Sequence, residues 1–242
     1  VMPRKKPHIS LPPKEVVSGV LCLGSDQFSS WPESVQELAV SLAAELFIIR
    51  YNPFIDTDLV IKSVLSRLDS ERSALSPEYY QQIRECLDNY IQRFKEDREF
   101  TNQVLRELKK TIPEKNFSAD PHILVACSTD ATDLRMELPM LILFPETTLQ
   151  IQAIVRLANE LKFSLIPRGG GSGLTGGAVP GRGRCAILSL SRMKEIISID
   201  KEEMVLCCQT GTITLDAIKA VENQGLLFTV DPASKSASSV GG

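Results

Sequence analysis

Residues Pro167 to Arg184 read PRGGGSGLTGGAVPGRGR and hold eight of the chain's 14 glycines. Glycine is costly to order and weakens any helix or strand. So dense a run predicts bare backbone that another group approaches closely. Successive N–H groups in glycine-rich turns form concave nests for anions. Absent Cβ atoms let a phosphate come near. Arg168 adds a positive charge, and Ser172 and Thr175 add hydroxyl donors. The chemistry these residues suggest is the cradling of a pyrophosphate. A flexible or tightly turning surface loop would have the same composition.

Gly171-Ser172-Gly173-Leu174-Thr175-Gly176 fits GxGxxG. That dinucleotide fingerprint needs a strand before it and a helix opening within it. A strand is expected at Ser164 to Pro167, but Gly177, Pro180, Gly181 and Gly183 follow where the helix should be. A Rossmann turn is therefore not expected. A Walker A loop fails because no Lys-Ser or Lys-Thr follows Gly176.

Other chemistry-bearing residues are sparse. The histidines are His8 and His122, and the six cysteines show no CxxC spacing, so no metal site is expected. Buried, reduced thiols in a cytoplasmic protein are the simplest reading of the cysteines. Peripheral attachment to a membrane stays open. The formal charge of −3 and a pI near 5.6 argue against a nucleic-acid partner. No apolar run reaches the roughly 18 residues of an integral membrane span. Pro12, Pro13, Lys14 and Glu15 interrupt anything resembling a signal peptide. The chain opens on valine and closes on Gly241-Gly242, which reads as part of a longer protein.

The elements that must position the loop follow from periodicity. Residues 1 to about 30 look irregular. Val35, Leu38, Ala39, Leu42, Leu46 and Ile49 predict a helix from Ser34 to Tyr51. A second covers Asp56 to Leu75, with Leu59, Val60, Val64, Leu65 and Leu68 as its stripe. Ser76-Pro77-Glu78 starts a third that runs to Thr111, with a break expected near Asp97. Beyond Pro121 come short apolar runs: 122–126, 139–144, 164–167, 185–190, 195–199 and 204–208. These predict strands. Helices interleave after Thr147 or Thr148 and after Thr212 or Thr214, the latter stopping at Gly225. The fold class is α+β. A helical segment (1–118) precedes an α/β segment (119–242).

The order of motifs is more specific than any one of them. TDATDLR at 129–135, LPMLILFP, FSLIP, the glycine loop, CAILSLSRMKEIISID, MVLCCQTGTI and DPASKSASSVGG follow in sequence. Together they resemble the FAD-linked oxidases with a vanillyl-alcohol-oxidase (PCMH) type FAD-binding domain, on the branch of D-lactate dehydrogenases and the glycolate oxidase FAD subunit. The resemblance covers roughly residues 120 to 242. It implies a two-subdomain FAD-binding domain, truncated on its C-terminal side. It places Pro167, Arg168, Gly169, Gly170, Gly171, Ser172, Gly173, Leu174, Gly176 and Gly177 around the FAD pyrophosphate. Pro232, Ala233, Ser234, Ser238, Val240, Gly241 and Gly242 match a second segment lining the same cofactor. Asp130 to Arg135 matches a lead-in segment with a structural role. Gln209-Thr210-Gly211 matches the end of a strand beside the flavin, where a glycine admits another backbone. Some relatives attach FAD through a loop histidine. Ser172 stands at that position here, so FAD is expected to bind non-covalently.

The activity this resemblance implies is dehydrogenation of a D-2-hydroxy acid, of D-lactate or glycolate type, to the 2-oxo acid. The small-molecule hydroxy acid would be the substrate, and the electron acceptor is unknown. No catalytic residue is assigned, because the family's base and carboxylate-binding cation lie beyond residue 242. Residues 1–242 alone are expected to bind FAD weakly and to turn over no substrate. The rival reading is a non-catalytic helical interaction module joined to a nucleotide-phosphate-binding domain.

Overall fold

The computed structural model describes residues 17–131, 137–181 and 183–241. The chain packs as two units, residues 1–96 and 97–242. In the first, a π-helical turn at Val17–Leu21 and helix α1 (Ser25–Ser29) lead into α2 (Glu33–Tyr51) and α3 (Thr57–Ser70). Helix α4 runs from Pro77 to Thr111. Local chemistry sets these ends. Asp56 caps α3 by accepting from the N–H groups of Asp58 and Leu59. Ser76 Oγ accepts from Tyr79 N ahead of Pro77.

The core of this unit follows the helical spacing. Leu42, Leu46, Val64, Leu68, Ile83 and Leu87 are fully buried together. The stripe on α3 is narrower than its sequence suggests, because Leu59 is 64% exposed. Arg67 pairs with Glu45 and donates to Ser41 Oγ at 2.8 Å, tying α3 to α2.

Helix α4 does not break near Asp97. No Gly or Pro occurs between Glu78 and Ile112 to interrupt it. Its residues from Phe100 onward change partners instead. Phe100, Val104, Leu108 and Ile112 recur every fourth residue and bury themselves in the second unit. The helical segment of residues 1–118 is thus shared between two cores.

The second unit is built on a four-stranded sheet of order β1-β2-β4-β3: β1 (Phe117–Ser118), β2 (Leu141–Leu143), β3 (Ser164–Arg168) and β4 (Cys185–Ser189). Strand β1 is antiparallel to β2, while β2 and β3 each run parallel to β4. All five residues of β4 are buried, as a central strand of a covered sheet requires. Helix α5 (Pro121–Ala126) precedes β2, and α6 (Thr148–Leu161) connects β2 to β3. Leu141, Leu143, Ala186 and Leu188 face α6 through Ile154, Leu157 and Ala158. Ile142 and Ile187 meet Leu124 of α5 on the other side. A hairpin of β5 (Ile196–Asp200) and β6 (Val205–Cys208) follows, then α7 (Thr214–Glu222).

Two sequence expectations are corrected. Residues 122–126 form α5, not a strand. Asp120 accepts from His122 N at 2.8 Å and Pro121 takes the first turn, so the capping chemistry prevails over the short apolar run. The cysteines are not uniformly buried: Cys185 is, while Cys22 and Cys207 are exposed.

Tyr90 on α4 generates a prediction. Its ring is buried and its hydroxyl has no hydrogen-bond partner among the described residues. Burial pushes the phenol from 10.0 up to about 12. The folded state therefore holds this proton where the unfolded chain has lost it. The resulting stability is full below pH 10 and is lost as pH rises towards 12. Tyr90→Phe should leave neutral-pH stability within about 1 kcal/mol, since it removes an unsatisfied hydroxyl. It should also flatten the alkaline decline in urea midpoints between pH 10 and 12. A decline as steep as in the parent would contradict this.

Candidate functional site

Strands β3 and β4 are adjacent and parallel, so the chain must return along the sheet between them. A helix usually makes that crossover. Here residues 169–184 make it without helix or strand among those described, which removes the Rossmann alternative.

Arg168 ends β3 and anchors the loop. Its carbonyl accepts from Leu190 N at 2.9 Å. Its guanidinium donates to Thr129 O at 2.8 Å and, at 3.4 Å, to Ala178 O. The charge thus sits beneath the loop, joining its two ends to the segment after α5. Half-burial pushes the Cys127 thiol upward, and the charge of Arg168 opposes this. Ala131 N donates to Gly173 O at 3.2 Å, a second tie to the same segment.

Two glycines are demanded by the packing. Gly171 has φ +67°, and a Cβ there would lie 2.2 Å from Arg168 Nη2. A Cβ on Gly170 would lie 1.7 Å from Ala237 O. The glycine loop and the 232–241 segment therefore meet backbone to backbone. Gly173 and Gly177 differ: a Cβ on either would come no nearer than 3.8 Å to the chain. Among the described residues, none of the backbone N–H groups from Gly169 to Ala178 donates a hydrogen bond to the chain. Bare Cα positions beside a row of free donors are what an anion nest requires. The residues present fit a diphosphate group on this ground. Pro167 and Leu174 are exposed, while Ser172 and Gly176 are partly buried.

The second segment is stitched to the chain around α7. Thr214 N and Leu215 N donate to Ser238 O and Lys235 O, both at 2.9 Å. Val240 N and Gly241 N donate to Thr212 O and Thr210 O, also at 2.9 Å. Thr214 Oγ1 lies 3.0 Å from Ser238 Oγ. The first N–H groups of α7 are thus taken by this segment and not offered to a ligand. Ser234 O accepts from Ala237 N and Ser238 N, curling the segment so that Ala237 faces Gly170. Pro232 and Ser234 are partly buried; Ala233 and Val240 are exposed. A Cβ on Gly211 would lie 1.8 Å from Leu190 O, so the backbone after β4 passes at this glycine. A Cβ on Gly241 would lie 2.3 Å from Thr210 Oγ1.

Ala237, Thr129 and Ala178 were not singled out in the sequence. They act through carbonyl oxygens, which leave no trace in residue type. Gly242 and residues 132–135 of the lead-in segment lie outside the described residues.

With this geometry in view, comparison with known proteins is informative. Residues 139–242 match the family model described as an FAD binding domain. The glycolate oxidase subunit GlcD of Bacillus subtilis is 34% identical over 59% of this chain and 30% of its own length. The D-lactate dehydrogenase of Anaerostipes hadrus is 38% identical over 59% of this chain and 30% of its own. A solved structure of alkyldihydroxyacetonephosphate synthase superposes with TM-score 0.54 at 25% identity, over 58% of this chain and 28% of that one. The chain spans about 30% of the length of the curated relatives it matches. Among the described residues, no helix is long and apolar enough to cross a membrane. The glycine loop, strands β2, β3 and β4 and the segment that meets the loop at Gly170 all fall inside residues 139–242, the stretch that matches the FAD binding domain.

Proposed function

We propose that the whole protein is an FAD-dependent oxidoreductase that dehydrogenates a D-2-hydroxy acid of the D-lactate or glycolate type. The observation that carries this reading is the junction at Gly170. It brings a row of free N–H donors on one segment against a second segment of the same matched domain. The relatives named glycolate oxidase subunit and D-lactate dehydrogenase supply the substrate class.

Bound flavin supplies hydride acceptance, and the protein supplies binding and orientation. The N–H groups of residues 169–177 hold the pyrophosphate by charge-assisted bonds. Arg168 fixes the loop's curvature through Thr129 O and Ala178 O. Pro232, Ala233, Ser234, Ser238, Val240 and Gly241 line the opposing side. Ser172 offers no imidazole for attachment, so the cofactor is held reversibly. The hydroxyl proton and the substrate carboxylate are handled by residues outside 1–242.

Two measurements test this. Purified whole protein should be yellow, and heat or acid should release all its flavin as FAD. D-lactate or glycolate should then reduce an artificial dye. A colourless protein, or flavin that stays with the acid precipitate, would contradict the respective part.

Gly173→Val separates cofactor binding from folding. A Cβ at this position meets nothing nearer than Asp130 Oδ2 at 3.8 Å, and the residue is exposed. Its melting temperature without flavin should therefore match the parent. FAD affinity should fall by about tenfold or more, because the side chain occupies the phosphate's approach. Gly170→Val should lose both flavin and stability, as it pushes Ala237 away. Parent-like FAD affinity in Gly173→Val would remove this loop from the cofactor site.

A further inference from the structure

We propose that Arg192 is a positioning residue for FAD: it latches the turn that carries both cofactor segments to the opposite edge of the sheet. This rests on reading the glycine loop and the 232–241 segment as the FAD site.

The turn is Leu190 to Met193, directly after β4. Met193 N donates to Leu190 O at 2.9 Å and closes it. Leu190 and Met193 are buried, while Ser191 and Arg192 are exposed. Each cofactor segment is tied to this turn. Leu190 N donates to Arg168 O at 2.9 Å, where the glycine loop begins. Gly211 N donates to Met193 O at 2.7 Å, and a Cβ on Gly211 would lie 1.8 Å from Leu190 O. The residues on either side of Gly211 hold the second segment, since Thr210 O and Thr212 O accept from Gly241 N and Val240 N. A shift of the turn therefore moves both segments.

Arg192 holds the turn from outside. Its Nη1 donates to Lys115 O at 2.8 Å and lies 3.4 Å from Glu146 Oε1. Its guanidinium sits over the Phe144 ring, 4.9 Å from the centroid. These partners are themselves fixed. Lys115 belongs to the short turn Glu114–Asn116 before β1, and Phe144 follows β2. Asn116 Nδ2 donates to Phe144 O at 2.6 Å, and Phe144 N donates to Asn116 O at 2.7 Å. Lys115 Nζ donates to Glu146 Oε2 at 2.9 Å, which lowers the pKa of that carboxyl and keeps it charged. In the sheet, β1 and β2 lie on one side of β4, and β3, which feeds the glycine loop, lies on the other. Arg192 thus restrains the turn from the side away from the loop.

An exposed ion pair contributes little to global stability. Losing this side chain leaves the buried ends of the turn in place but frees the turn to shift. The cost then falls on FAD binding, which must order the turn as it docks.

The test uses the whole protein, stripped of flavin. Arg192→Met keeps the apolar stem and removes the donors. Its FAD dissociation constant, from flavin fluorescence, should rise about fivefold. Its flavin-free melting temperature should stay within about 2 °C of the parent. Amide exchange at Leu190 and Gly211 should be faster than in the parent without flavin and return to parental rates at saturating FAD. Arg192→Lys keeps a donor for Lys115 O and should bring the affinity to within about twofold of the parent. Parental affinity in Arg192→Met, or exchange that saturating FAD does not restore, would overturn the proposal while leaving the FAD reading intact. No recovery in Arg192→Lys would overturn the role given to the Lys115 contact. A parent protein that binds no FAD would instead remove the reading on which the proposal rests.

Discussion

No side chain fits at residue 170. Its Cβ would lie 1.7 Å from Ala237 O, well inside any allowed contact. That single exclusion lets two segments far apart in sequence share one surface. The loop crossing from β3 to β4 supplies free N–H donors, and the 232–241 segment closes beside it. Gly211 and Gly241 repeat the device against Leu190 O and Thr210 Oγ1. The three contacts draw the glycine loop, the turn after β6 and the last described residues into one interlocked layer. Their hydrogen bonds are almost wholly backbone to backbone, so the layer's shape depends on absent side chains.

The sheet beneath gives this layer its rigidity. Strand β4 is buried throughout, and its parallel pairing with β3 is continuous from Ser164 to Arg168. The loop therefore leaves from a fixed point and returns to one. Arg168 extends that rigidity past the strand's end through Thr129 O. A carboxylate or phosphate would ordinarily compete for such a guanidinium. Here backbone carbonyls take it, leaving the N–H groups of the loop for the ligand.

Much of this was legible in sequence. The density of glycine announced bare backbone, and the lack of a following helix argued against a Rossmann turn. The boundaries of α2 and the capping of α4 followed from periodicity and from Ser76-Pro77. What escaped was of two kinds. Helix α5 hid because the short apolar run Ile123 to Ala126 resembles a strand, although Asp120-Pro121 carried the opposite signal. The continuity of α4 past Asp97 depends on a change of packing partner at Phe100, which no local pattern reports. Among the glycines, composition could not separate those needed for packing from those where a Cβ would make only ordinary van der Waals contact. Gly170 and Gly171 belong to the first group, and Gly173 and Gly177 to the second.

Amide hydrogen exchange of the whole protein, stripped of flavin and then reloaded with FAD, tests the central claim most directly. Slowed exchange from Gly169 to Gly177, with the β5–β6 hairpin unchanged, is the outcome the account predicts. Unaltered exchange in the glycine loop while FAD is bound would place the pyrophosphate elsewhere and contradict it.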